Sequence, residues 1–160
     1  MILKELFSTL SIELTILLAA ALPVIELRGA IPLGISLGLS PIHSAILGFA
    51  GSMLPAPIIL FTVRPVFQYL KKTKPFRKIV EKIADKSLNK NGPKIQKYGA
   101  WGLLIFVAIP LPGTGVWSGS LIAALLNMRF KWAFPSILIG NAIAGFIIYI
   151  LSNGIIQIVK

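Results

Sequence analysis

The sequence predicts an all-α membrane protein in which a re-entrant helical hairpin followed by a transmembrane helix occurs twice, in inverted orientation, with a cytoplasmic amphipathic helix between the copies. Three observations predict it. The 160 residues are 56% hydrophobic and only 13% charged, a balance that belongs to membrane chains. The apolar residues gather in four blocks, at about 11–39, 41–63, 99–128 and 132–159. Eleven of the sixteen Lys and Arg residues lie between Arg64 and Lys97, with only Glu81 and Asp85 among them. Such a concentration of cations places that segment in the cytoplasm, against anionic head groups.

The first block is too long for one span and is interrupted by Pro23-Val-Ile-Glu26-Leu-Arg28-Gly-Ala-Ile-Pro32. The limbs on either side are short for a bilayer of about 30 Å and fit a re-entrant hairpin, with a tilted, kinked span as the alternative. Ile16–Leu18 followed by Ala19-Ala-Ala21 has the outline of a signal peptide, but Glu13 interrupts the apolar region and Lys4-Glu5 is a weakly charged start. We therefore expect no cleavage. The second block, 41–63, is long enough to cross as one helix. The third is broken in the middle by Pro110-Leu-Pro-Gly-Thr-Gly115, and the fourth is again clean.

A shift of 89 positions lays Ala21-Leu-Pro23 on Pro110-Leu-Pro112, Leu33 on Ile122, Leu37 on Leu126, and Gly51-Ser52 on Gly140-Asn141. With the matching order of broken block then clean span, this reads as an internal duplication. The chain is thus one integral membrane domain: a first repeat at about 11–63, a basic linker at 64–98 and a second repeat at about 99–159. With 64–98 inside the cell, the span 41–63 runs inward and the connection 40–43 lies outside. The block 99–128 then enters and leaves on the cytoplasmic side, marked at its exit by Arg129 and Lys131. The halves are inverted, as in many secondary transporters. The N-terminus falls outside or along the outer interface. In the linker, Phe76, Ile79, Val80, Ile83 and Leu88 recur at helical spacing between cations, predicting an amphipathic helix from Pro75 to about Asn89, stopped by Asn91-Gly-Pro93.

Glu26 and Arg28 are the residues that demand a reason. A charge at mid-bilayer costs roughly 2.5–3.5 kcal/mol on insertion scales and marks a functional site by default. A carboxylate in a low-dielectric pocket favours its protonated form and suits a proton carrier, while a guanidinium offers a planar fork to a carboxylate or phosphate. Two apart on a regular helix, they point to different sides and do not pair, so either the backbone is non-helical there or each finds another partner. In the second break Pro110, Pro112, Gly113, Thr114 and Gly115 let backbone approach a ligand, and a helix restarts near Val116–Trp117 with free amides that attract anions. Trp117, Ser118 and Ser120 line that restart. The break has no P-loop lysine and follows no strand, so nucleotide binding is not expected.

Asn141, matched to Ser52, reads as an interhelical hydrogen bond. Arg64, Arg129 and Lys131 sit at span ends and snorkel, and Glu13 reads as interfacial. There is no cysteine, and the single His43 has no partner for a metal site. No triad, metal cluster or paired carboxylate is in view, so an enzyme is not expected, nor is a cofactor or a nucleic-acid partner.

Glu26-Leu-Arg-Gly-Ala-Ile-Pro32-Leu-Gly and Ile109-Pro-Leu-Pro-Gly-Thr-Gly-Val-Trp117-Ser-Gly resemble the two signatures of the small multi-drug export protein family of prokaryotes. The resemblance covers about 22–145. That family is in turn similar to the DedA superfamily, which implies two re-entrant hairpins in inverted halves, proton-dependent behaviour and movement of lipids, including the undecaprenyl phosphate carrier. Glu26 and Pro32 match the Glu and Pro of the DedA first hairpin. The second acidic residue expected just after that Pro is Gly34 here, and Ala108 and Thr114 stand where arginines flank the second. Arg28 supplies a cation from the other hairpin instead.

The expectation is a multi-pass, proton-linked transporter in the inner membrane of a prokaryote, moving an amphiphilic anion such as a lipid phosphate. Its candidate site is Glu26, Arg28, Pro32, Pro110, Pro112, Gly113, Thr114, Gly115 and Trp117. Its partners are membrane lipids, protons and a second copy of the chain as homodimer. An exporter of small cationic drugs and a non-transporting membrane scaffold are the alternatives.

Overall fold

The computed structural model describes the backbone of residues 2–72 and 74–159, with side chains described throughout 10–63 and 97–154 and at scattered positions between. The face expected of Phe76, Ile79, Val80, Ile83 and Leu88 lies outside the described side chains, as do the side chains of Lys4 and Arg64. Every element among the described residues is a helix: α1 (Ile2–Ala21), α2 (Glu26–Ser36), α3 (Pro41–Met53), α4 (Pro55–Lys72), α5 (Lys74–Ala108), α6 (Val116–Leu125) and α7 (Phe130–Val159). Two stretches are long and apolar enough to cross a membrane, Pro41–Val63 and Phe130–Gly154.

Two expectations are corrected. The stretch 41–63 is not one uninterrupted helix, because Pro55 and Pro57 bring no N–H. Leu54 closes α3 with a bond from its amide to Gly51 O (3.2 Å), three residues back, and Pro55 opens α4. Nor does Asn91-Gly-Pro93 stop the linker helix. Pro93 stands exposed inside α5, where losing one backbone bond bends a helix without ending it, and the chain turns instead at Gly99, with φ 58° and ψ −129°. That backbone geometry suits a residue without Cβ. Pro32 likewise lies inside α2 and not at the break, which is confined to residues 22–25.

The chain divides into two compact units, Met1–Leu54 with Asn141–Lys160, and Pro55–Gly140. In the first, α2 folds back along α1. Ala30 packs with Ile16 and Ala20, and a Cβ on Gly34 would meet Ile16 at 3.5 Å and the Ser44 hydroxyl at 2.6 Å. Leu27 and Ile31 on the other face of α2 pack with Ala144 of α7. In the second unit α6 folds back along the last part of α5, with Gly119 against Val107 and Leu103.

The local geometry repeats at the 89-residue offset read from the sequence. Helix α2 ends with Leu37 N to Leu33 O (3.0 Å), Gly38 N to Ile35 O (3.1 Å) and Leu39 N to Gly34 O (3.0 Å). Helix α6 ends with Leu126 N to Ile122 O (2.9 Å), Asn127 N to Ala124 O (3.2 Å) and Met128 N to Ala123 O (3.0 Å). Both are Schellman caps, with Gly38 (φ 94°) and Asn127 (φ 56°) in the left-handed position. The following helices start alike, Ser44 N to Ser40 O and Ala133 N to Arg129 O. The matched glycines also pack alike. A Cβ on Gly51 would strike Leu17 O and lie 2.9 Å from Ala20 Cβ, and one on Gly140 would lie 2.6 Å from Leu104 O and 2.9 Å from Val107 Cβ.

Ser52 and Asn141, themselves 89 apart, are joined by a buried bond from Asn141 Nδ2 to Ser52 Oγ of 2.7 Å. Around this interior the apolar surface stays open. Leu10, Leu14, Leu18 and Leu22 form a stripe along α1 that is 52–60% exposed, a face suited to hydrocarbon and not to water.

Alanine at Gly51 or Gly140 should destabilise the protein by about 1–3 kcal/mol, the usual cost of overpacking, seen as a lower thermal midpoint in detergent. Gly154→Ala, where nothing approaches an added Cβ, should hold or gain stability; equal losses at all three positions would refute this packing. Asn141→Ala should cost about 0.6 kcal/mol, and at most about 1.7, as such bonds do between membrane helices. A double-mutant cycle with Ser52→Ala would measure that coupling.

Candidate functional site

At the first break the chain leaves α1 through Leu22 N to Ala19 O (3.1 Å), and Pro23 prevents a further helical bond. Glu26 N then donates to Leu22 O (3.0 Å), and Glu26 takes a φ of 48°. A non-glycine residue in that region pays roughly 1–3 kcal/mol and persists where its surroundings over-determine it, most often at functional sites. In the repeat its counterpart is Gly115, also at positive φ (124°). Where one half uses the residue that fits this backbone, the other keeps a carboxylate.

Burial at this break is inverted relative to a water-soluble protein. Glu26 is 7% exposed, whereas Val24, two residues before it, is 91% exposed. Arg28, half-buried in the first turn of α2, feels the charge of Glu26 as an attraction. Of the two readings left open for the pair, a non-helical backbone or separate partners, the left-handed turn at Glu26 fits the first. Pro32 is exposed almost two turns further along α2 and is not gathered with them.

The second break, after Ala108, is held by Thr114. Its hydroxyl lies 2.6 Å from Ile109 O and 2.7 Å from Leu111 O, and accepts from Leu111 N at 3.3 Å. Thr114 is thus a clasp for the loop. Pro112 and Gly113 stand exposed at its tip, Pro110, Thr114 and Trp117 are partly covered, and Gly115 is buried. Helix α6 begins at Val116 with no side-chain cap at Gly115, and the dipole of a helix start favours anions. Glu26 and Arg28 belong to the first unit and 110–117 to the second. Two buried hydroxyls, Ser44 and Ser120, have no hydrogen-bond partner among the described atoms.

One pair was not anticipated. His43 Nε2 lies 3.1 Å from Glu13 Oε1, joining α3 to α1. Thirty positions of sequence carry no periodicity that links them; the only signal was that both are polar near the ends of neighbouring apolar limbs.

The strain at Glu26 has a measurable sign. Glu26→Gly and Glu26→Ala remove the same carboxylate, yet the glycine variant should be the more stable by about 1–2 kcal/mol, the cost of a left-handed L-residue. In an ordinary helix the order is reversed. Thermal unfolding of the two variants in one detergent decides it, and an alanine variant as stable as the glycine variant would show that no strain is held there.

No curated protein and no solved structure matches the chain. The model of the family described as "Putative small multi-drug export protein" matches residues 26–147, beginning at Glu26 itself and extending past the second break. With most of its length inside that match, the chain belongs to the small multi-drug export family of membrane proteins.

Proposed function

We propose that the protein is a proton-responsive transporter whose site is built on Glu26 and Arg28 and whose substrate is an amphiphilic anion, a lipid phosphate being the type. The observation that carries this reading is the buried, strained Glu26 beside Arg28 at the end of a half-length helix. A carboxylate held in an apolar surrounding is biased towards taking up a proton, and a neighbouring guanidinium is a natural contact for a phosphate or carboxylate head. Proton arrival at Glu26 would release Arg28 to the substrate, and proton loss would return it.

Both broken blocks are taken as re-entrant and the two halves as inverted copies. A helix of ten to twelve residues extends about 15–18 Å, half the hydrocarbon thickness, and α2, α6 and the apolar stretch Leu10–Ala21 have that length. The positive-inside rule supports a cytoplasmic 64–98, and the family resemblance supports the inner membrane of a prokaryote as the location. Export of small cations is a second reading, favoured by the family's description; there Glu26 would bind the cation and Arg28 would move aside.

Proteoliposomes with a labelled lipid phosphate and an imposed pH gradient test the proposal. Wild-type protein should accelerate movement across the bilayer, with Glu26→Gln losing the pH dependence and Arg28→Ala losing at least about tenfold in rate, as for removal of a charged contact of 1.4 kcal/mol or more. Equal movement with and without protein would reject the lipid-phosphate substrate, and pH-driven uptake of a cationic dye that Glu26→Gln abolishes would establish the second reading. The chain has no cysteine, so single cysteines report topology cleanly: Ser11 and Ser40 variants should label from the same side of the membrane.

A further inference from the structure

The second unit contains a cavity of about 340 Å³ outside the Glu26 and Arg28 site. It runs along one face of the last part of α5, past Gly102, Ile105 and Ile109, from Tyr98 at one end to Leu111 and Thr114 of the loop at the other. The helical part of this wall, 100–108, extends about 13 Å beyond the turn at Gly99, close to the depth of one leaflet's hydrocarbon. At the loop end the Thr114 hydroxyl lies against Ile109 O and Leu111 O, so the wall offered to an apolar guest is mostly apolar.

The other end is chemically different. The ammonium of Lys97 lies 5.3 Å from the Tyr98 ring centroid, and Trp101 beside them is 73% exposed. Tyr, Trp and Lys together are the residues of the head-group level. The stretch 74–97 that leads into this mouth carries eight Lys and Arg against Glu81 and Asp85. A slot of leaflet depth, apolar inside and cationic at its mouth, is complementary to one class of molecule.

We propose that this groove binds an anionic phospholipid, with one acyl chain along Gly102, Ile105 and Ile109 and the phosphate on Lys97. The binding is separate from transport, since neither Glu26 nor Arg28 contributes to it. A neutral lipid would gain the groove but not the cation, and a second copy of this chain would gain the apolar wall but face a like charge at the mouth.

Native mass spectrometry of the full chain, released from nanodiscs holding equal phosphatidylglycerol and phosphatidylcholine, tests this. The wild-type protein should retain phosphatidylglycerol preferentially. Lys97→Gln should cut that preference about fivefold, as loss of one cation at a membrane surface does. Ile105→Trp, which fills the slot from an exposed position, should remove retention of both lipids. Lys131→Gln alters the other lysine that lies over an aromatic ring and should leave the preference intact. Far-UV circular dichroism keeps the comparison to folded variants. Equal retention of the two lipids, an unchanged preference in Lys97→Gln, an unchanged retention in Ile105→Trp, an equal loss in Lys131→Gln, or displacement of lipid by dimer formation would each overturn the proposal.

Discussion

A helix interrupted in apolar surroundings must close its own backbone hydrogen bonds, and much of this structure follows from that constraint. Each interruption is answered locally. Leu37 to Leu39 and Leu126 to Met128 fold the last amides of α2 and α6 back on their final carbonyls. Thr114 lends its hydroxyl to the loop carbonyls before α6, and Leu54 reaches three residues back where Pro55 has no proton to give. Only when the breaks are closed in this way can short limbs fold back, bring Gly34 against Ile16 and Gly119 against Val107, and leave leucine stripes for lipid.

Within this common plan the two halves diverge at one kind of position. Gly115 fits the positive φ of its break without strain, and Glu26 occupies the matched place at positive φ as well. Its carboxylate is enclosed while the valine beside it stands open. Ile16, Ala20 and Ala30 on one side and Leu27 and Ile31 on the other supply the apolar contacts around it. A backbone that favours glycine but carries glutamate is most simply explained by what glutamate does. Half-buried Arg28, drawn to it, extends the same polar spot.

Much of the architecture was legible beforehand, for a physical reason in each case. Proline and glycine clusters mark breaks because they remove an amide or permit a left-handed turn, so α1 ends just before the 23–32 cluster and α6 starts just after 110–115, although the first break is shorter than its cluster, at 22–25. The 89-residue shift rested on few identities; at that offset the caps of α2 and α6 have like hydrogen bonds, and Gly51 and Gly140 each lie close to a backbone carbonyl. Other positions misled. Pro32 and Pro93 read as interruptions but sit inside helices, because a single proline removes one bond and its neighbours carry the helix through. Gly99, which does turn the chain, has no proline or charge to announce it.

By itself the sequence determined the apolar blocks, the basic segment between them and the two breaks, since hydropathy, charge and backbone chemistry are properties of single residues and short stretches. Only the tertiary structure decided that Glu26 is enclosed and strained, that Glu13 meets His43 at 3.1 Å, and that Tyr98 and Thr114 line one groove. These depend on distances between residues far apart in the chain and on the sign of one dihedral angle, quantities that exist only once the limbs have folded back and packed.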